Sequence, residues 1–309
     1  MLAEHLIWII LAGIFLIGLF VPGFITTRNL LNVVWAAAPL GCMVLGMFFV
    51  MLVGGLDLSL ESTFAFAPTI AIVFMQTWLP NVVTPPVAVA VTLTLGLLAG
   101  LANGLISVRL KVNPFLVTLG TLIVMRGIVI YLIPEGVYYL PQDFTFLGRV
   151  KLFDQVPLAI FVLLALYFVG YLIVEHHSLG KSIYAIGNNE EAAYVAGINV
   201  SRIKILTFVL AGLFAAFGGL LEVGRLQSVV ADLGEGDVLM VFAAAILGGT
   251  SLAGGEGRVT GIFAAILVLA IIENLMNLLG VEPSIRQVVF GVIFLAAIYV
   301  ASLQGRSKK

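Results

Sequence analysis

Apolar residues run along this chain in long blocks, separated by short polar gaps. A helix needs about 20 apolar residues to cross the hydrocarbon core of a bilayer. About ten blocks approach that length: 6–22, 32–53, 60–78, 86–108, 114–133, 157–175, 203–222, 238–250, 259–279 and 285–303. Pro68 interrupts the third, and the eighth is short. Such helices are tolerated in a bundle where their loose backbone faces protein or a cavity. The expected fold is therefore all-α: a polytopic membrane protein of about ten transmembrane helices, forming one domain over 1–309. The first block could be the core of a signal peptide. Met1 to His5 carry no Lys or Arg and Glu4 is negative, so 6–22 is taken as a retained span.

One gap differs from the rest. From Glu175 to Lys204 the chain stays polar for longer than anywhere else, with a span-length block on either side. Its backbone groups would go unpaired in lipid, so this loop between the sixth and seventh spans (176–202) belongs in water, folded into one or two short helices. Asn188 or Asn189 can cap a helix, with Glu190 and Glu191 in the first turn where the dipole favours anions. Ala192, Ala193 and Ala196 are small, and Gly197 suits the position just past a helix end. The product is a short, rigid knob.

Composition supports the membrane class. The chain is 61% hydrophobic and 10% charged, where a soluble domain carries about a quarter charged residues. A net charge of −1 suggests no nucleic-acid partner. The one cysteine, Cys42, lies in an apolar block and is read as a packing residue. Three scattered histidines, His176 and His177 adjacent among them, make no metal site.

Lys and Arg set the orientation. With the N-terminus inside, Arg109, Lys111, Lys181, Arg202, Lys204, Arg258, Arg306, Lys308 and Lys309 share one face. Arg28, Arg149, Lys151, Arg225 and Arg286 share the other. That bias puts both termini and the 176–202 loop in the cytosol. The larger outer loop is then 134–156, with Tyr131, Tyr138 and Tyr139 suited to an interfacial belt. This loop and Gly224–Asp237 either receive a substrate-delivery protein or are plain connectors.

Glu191-Ala192-Ala193, three residues, then Gly197 resembles the Glu-Ala-Ala loop of ABC importer permeases. Gly187-Asn188-Asn189-Glu190 before it and Ile198-Asn199-Val200 after it are similar to the ribose-type sugar permeases in particular. So are Gly55-Leu56-Asp57-Leu58-Ser59 and the run from Leu247 to Arg258. The general permease pattern continues with Ile and Leu-Pro some ten residues after the glycine; here that place holds Ile205-Leu206-Thr207. The resemblance implies a bacterial inner-membrane subunit working as a homodimer or with a related permease. A cytosolic ABC ATPase would seat Asn188, Asn189, Glu190, Glu191, Ala192, Ala193, Gly197, Ile198 and Asn199 in a groove. A sugar-binding protein would dock outside. ATP and magnesium would be held by the ATPase, so this chain needs no cofactor of its own. Ribose, other pentoses, hexoses and the autoinducer-2 signal are all carried by permeases that look like this.

Polar residues inside spans are costly, so they usually face the bundle interior. Arg126 either lines a path or pairs with a carboxylate. Glu273, Asn274 and Asn277 lie in the ninth span and Asn103 in the fourth; these amides can bind a sugar hydroxyl or another helix. Asp57 and Ser59 form either a polar gate or the N-cap of the third span, and Glu222 and Arg225 are spaced to pair. Asp57, Ser59, Asn103, Glu273, Asn274 and Asn277 are the candidates for the translocation path. Gly-rich 248–257 lacks the Gly-Lys-Ser/Thr ending of a phosphate loop; Gly180-Lys181-Ser182 has it, but residue 175 is Glu where the pattern needs Gly. Gly96, Gly100 and Gly104 form a packing stripe toward a neighbouring helix or a second protomer. Asn103…Asn113-Pro114 is faintly echoed by Asn274…Glu282-Pro283, which hints at inverted halves 32–133 and 203–303.

The leading expectation is the permease subunit of an ATP-driven sugar importer that switches between inward- and outward-facing states. An ion-coupled secondary transporter is the alternative, with Glu273 or Arg126 as coupling site. An intramembrane enzyme would need a nucleophile–His, paired-carboxylate or metal constellation within spans, which the sequence does not offer.

Overall fold

The computed structural model describes residues 2–306, and side chains for 6–299. Met1, Lys308 and Lys309, used in the charge reading, lie outside the described residues, as do the side chains of Glu4 and Arg306. The ten apolar blocks hold α1 (Leu2–Gly18), α2 (Thr27–Leu52), α3 (Leu60–Val73), α4 (Pro85–Arg109), α5 (Pro114–Leu132), α7 (Leu158–Tyr171), α10 (Val200–Leu226), α11 (Asp237–Leu247), α12 (Val259–Leu278) and α13 (Pro283–Arg306). The connections add α6 (Gln142–Arg149), α8 (Ser178–Asn188) and α9 (Glu190–Val195). Single π-helical turns extend α3 over Phe74–Trp78 and α7 over Leu172–His176.

Among the described residues, 6 helices are long and apolar enough to cross a bilayer: α2, α4, α5, α7 with its π-turn, α10 and α12. The expected count of about ten is not reached by that criterion. Helix α11 has only 11 residues, and α3 has 14 before its π-turn. At 1.5 Å per residue neither α-helical stretch spans 30 Å by itself.

Pro68 does not break α3. It removes the N–H that would bond the Phe64 carbonyl, and that carbonyl lies against Gly219 of α10, where an added Cβ would sit 2.1 Å away.

Helices α2 and α10 are the axis of the bundle. From Cys42 to Leu52 every residue of α2 is buried. Gly46 lets its backbone approach Ala211 of α10. On the other side α4 lies along α10 through the Gly96, Gly100 and Gly104 stripe. A Cβ at Gly96 would meet the Gly212 oxygen at 2.5 Å, and one at Gly100 the Phe208 oxygen at 2.1 Å. The stripe thus serves a helix of the same chain. Lipid supplies no hydrophobic drive between helices, so such van der Waals approach is what holds them.

After each axial helix the chain turns back into the bundle. The segment 53–59 follows α2 and leads to α3; 227–236 follows α10 and leads to α11. The order long, short, long, long thus occurs twice, as α2–α5 and α10–α13, with α2 running toward the α8–α9 end and α10 running away from it. At the opposite end β1 (Val137–Tyr138) pairs antiparallel with β4 (Ser228–Val229). A second small ladder joins β2 (Lys151–Leu152) to β3 (Val156–Pro157). These ladders and α6 give the 134–156 loop a fixed shape; Trp35 Nε1 of α2 donates to the Gly148 carbonyl at 2.9 Å.

Candidate functional site

The polar loop folds as two helices. His177 Nδ1 accepts the Leu179 amide at the start of α8. Asn189 ends α8 and caps α9, its Oδ1 accepting from the Ala192 amide at 2.9 Å. Glu190 and Glu191 occupy the first turn of α9. The far end closes as a Schellman motif: Gly197 has φ +83°, its amide bonds the Tyr194 carbonyl, and the Ile198 amide bonds the Ala193 carbonyl. Asn199 then caps α10 through the Arg202 amide at 3.0 Å. Lys204 Nζ pairs with Glu190 at 2.5 Å, tying α9 to α10. Ala193 is buried, while Tyr194 is 72% and Val195 81% exposed. The knob therefore presents an apolar tip.

Its base is anchored. Tyr184 donates to the Gly257 carbonyl at 2.7 Å. Burial, then the nearby Glu175 carboxylate, pushes this phenol up to about 12 against the opposing pull of Arg258, so it stays a donor at any physiological pH. Asn188 Nδ2 donates to the carbonyls of Tyr184 and Gly255. The Gly255 amide donates to the Leu52 carbonyl at 2.9 Å. A Cβ on Gly187 would stand 2.0 Å from that same carbonyl and 2.2 Å from the Gly255 amide nitrogen. A Cβ on Gly254 would stand 2.8 Å from the Gly54 nitrogen. The glycines of 248–257 thus bring three backbones together: the end of α8, the end of α2, and the turn between α11 and α12. Removing the α9 cap with Asn189→Ala is expected to loosen α9 by about 1 kcal/mol. Faster hydrogen exchange at the Ala192 amide, with the rest of the chain unchanged, is the result to look for; unchanged exchange would show the cap to be idle.

Segment 53–59 leads from this junction to a buried string of polar groups. Asp57 Oδ1 accepts from the Ser59 amide at 2.9 Å and its hydroxyl at 2.6 Å. Asn103 of α4 donates to Ser59 Oγ at 2.7 Å, and Thr121 of α5 donates to Asn103 Oδ1 at 2.6 Å. Thr118 Oγ1 accepts the Leu58 amide. Ser59 does not cap α3. Ser59 has αR dihedrals and makes no side-chain cap bond, where a capping residue needs extended backbone. Three of the expected path residues, Asp57, Ser59 and Asn103, are thus brought together, wholly enclosed by protein in this conformation.

The other three lie elsewhere. Asn274 of α12 exchanges two amide hydrogen bonds with Asn29 of α2, at 2.9 and 2.8 Å. Asn277 accepts from Arg286. Glu273 is exposed on α12, in the field of Arg225 and Arg286.

Arg126 pairs with a carboxylate, Glu61 of α3, at 3.3 Å. Its Nη1 also donates to the carbonyls of Ala231 at 3.0 Å and Leu233 at 2.9 Å. Glu61 Oε2 accepts the Val238 amide at the start of α11. One ion pair thus fastens the 227–236 segment to α3 and α5. Asp237, which the sequence reading passed over, sits within range of Glu61, Glu222 and Glu273. Glu222 and Arg225 form a two-point pair at 3.0 and 2.6 Å.

A cavity of about 670 Å³ opens beside α9, between Gly54–Gly55, the end of α4, the start of α5 and the start of α10. Among the described residues no cluster of His, Cys, Asp or Glu is arranged to hold a metal ion.

A family model described as branched-chain amino acid transport system / permease component matches residues 29–298. The ribose import permease protein RbsC of Escherichia coli K12 is 35% identical, over 90% of this chain and 87% of its own. The L-arabinose transport system permease protein AraH of the same organism is 36% identical, over 94% and 88%. The galactose/methyl galactoside import permease protein MglC is 31% identical, over 100% and 96%. No solved structure matches the chain. With a family match spanning nearly every helix, and sugar import permeases aligned along most of its length, this chain belongs to the permease family of ABC importers.

Proposed function

We propose that this chain is the membrane-spanning permease subunit of an ATP-driven, binding-protein-dependent importer of a pentose or hexose sugar. The observation that carries the reading is the knob: an apolar tip, Tyr194 and Val195, on a helix whose base is locked by backbone contacts to the ends of α2 and the α11–α12 turn. An element that must transmit force needs this combination of exposed tip and stiff root. The Lys and Arg bias supports a cytosolic position for the knob and both termini, where a separate ABC ATPase would bind ATP and magnesium. A second permease subunit, identical or related, would complete the path across the lipid. An extracytoplasmic sugar-binding protein would dock on the face carrying 134–156 and 224–237. The recurring helix order of opposite polarity supports inverted halves 32–133 and 203–303.

Closure of the ATPase halves would pull on α9, and the Gly187–Gly255–Leu52 junction would pass that motion to 53–59. We assign Asp57, Ser59 and Asn103 to the gate that this segment forms. Glu273, with Asp237 and Glu222 in its electrostatic neighbourhood, is assigned to the part of the path toward the opposite face. ATP on one side and the loaded binding protein on the other then bias a single two-state element. Arg126 is taken up by Glu61 and two carbonyls, which removes one of the two residues an ion-coupled carrier would have used.

The test is sugar uptake into proteoliposomes holding the chain with its ATPase and binding protein. Uptake should require ATP. Glu191→Arg and Gly197→Arg should each lower it at least about tenfold, as the loss of ~1.4 kcal/mol at a docking surface would. Uptake that persists without ATP and follows a proton or sodium gradient would overturn the reading.

A further inference from the structure

The gate segment holds a carboxylate that the surrounding protein leaves half matched. Asp57 is 0% exposed, and both of its hydrogen bonds fall on Oδ1, from the Ser59 amide and hydroxyl. Oδ2 is buried with no partner. Glu61, the other buried carboxylate among the described residues, is matched at both oxygens: Oε1 meets Arg126 and Oε2 meets the Val238 amide. A buried oxygen left unmatched costs free energy, and more so when it carries charge.

The hydrogen bonds around Asp57 favour its ionised form. Thr121 donates to Asn103, Asn103 to Ser59, and Ser59 to Asp57, so each group points a donor toward the carboxylate. Such a string stabilises a negative end. A proton on Oδ2 would find no acceptor. The cations of the surrounding helices are engaged or exposed elsewhere. Arg126 is held by Glu61 and Lys204 by Glu190, while Arg109 and Lys111, at the end of α4, are exposed.

Water is close by along the chain. Gly54 holds φ +73°, and Gly54 and Gly55 line the cavity of about 670 Å³ just before Asp57. Bonds from Thr118 and Asn103 hold the segment to α5 and α4. We propose that Asp57 spring-loads the gate: enclosure strands its carboxylate, and a swing of 53–59 about Gly54–Gly55 toward the cavity gives it back to water. The bias acts against the enclosed conformation, so the ATPase works with it in opening the gate and against it in sealing. The role in transport rests on the assignment of this segment to the gate.

The test is amide hydrogen exchange on the permease alone, in nanodiscs. The Leu58 amide is the reporter, because it bonds Thr118 and exchanges when the segment leaves α5. Asp57→Asn keeps the shape and removes the charge. It should slow exchange at Leu58 by about tenfold or more, after correction for the neighbour's intrinsic effect. Ser59→Ala strips a donor from the enclosed carboxylate and should speed exchange by about tenfold. In the double variant the Ser59→Ala effect should shrink to about threefold or less, since the bond it removes is then a neutral one. Exchange in Asp57→Asn equal to wild type or faster overturns the proposal. So does a Ser59→Ala effect that is undiminished in the double variant. Exchange at the Ala192 amide of α9, unchanged in every variant, is the control for folding. No ATPase, binding protein or sugar enters this assay, so its failure leaves the importer reading standing, and failure of the uptake assay leaves the exchange result standing.

Discussion

Arg126→Leu is expected to destabilise the folded chain by about 3–5 kcal/mol, the range for stripping one partner from a buried ion pair. Both side chains are enclosed, at 11% and 7% exposure. Removing the guanidinium leaves Glu61 as a bare charge, and it also orphans the Ala231 and Leu233 carbonyls it holds. The ion pair is a clamp on 227–236, so the damage should be local before it is global: hydrogen exchange should rise first along that segment. Glu61→Leu with Arg126→Leu removes the stranded charge and should recover part of the loss, leaving the two carbonyls as the remaining cost. Arg126→Lys should fall between, since an ammonium lacks the planar fork that reaches several acceptors at once. Denaturant titration in detergent micelles reads all three. If Arg126→Leu unfolds within about 0.5 kcal/mol of wild type, the range of a surface substitution, the clamp is not real.

The helices were legible because hydrophobic length and punctuation agree. Pro114 and Pro283 each sit at the start of a helix, Gly197 and Asn199 flank a turn, and the polar 176–202 stretch has no place in lipid. Tertiary pairing was not legible. Glu61 and Arg126 are 65 residues apart and Asn29 and Asn274 are 245 apart, and no local pattern links them. The clamp's other acceptors are main-chain carbonyls, which every residue carries and no sequence marks. Ser59 illustrates a different failure. Its identity suits a helix cap, but capping depends on dihedrals, and the Asp57 carboxylate beside it draws both its amide and its hydroxyl. Asp237 was missed because it opens a helix too short to stand out as a span, and its acidic neighbours come from α3, α10 and α12.

Gly187→Ala should disconnect the knob while leaving the knob itself folded. Its methyl group would stand 2.0 Å from the Leu52 oxygen and 2.2 Å from the Gly255 nitrogen. These are the two ends of one backbone hydrogen bond, and neither is a flexible side chain that can swing aside. Overpacking of this kind costs about 1–3 kcal/mol, and the cheapest relief is for α8 to lift from the junction. Lifting also breaks the bonds from Tyr184 to Gly257 and from Asn188 to Gly255. The α9 cap and Schellman closure lie beyond the break and should survive, so the ATPase should still dock. The expected signature is therefore uncoupling: ATP hydrolysis by the reconstituted complex stays within about twofold, while sugar uptake falls by about tenfold or more, the equivalent of ~1.4 kcal/mol or more lost from the coupled step. Gly120→Ala, at a position with no atom within 4 Å of the added carbon, is the matched control and should change neither. Faster exchange of the Gly255 amide in the variant would locate the fault at the junction. Uptake and hydrolysis falling together would mean instead that α9 was lost with α8. Normal uptake in Gly187→Ala would show that force reaches the gate by another route.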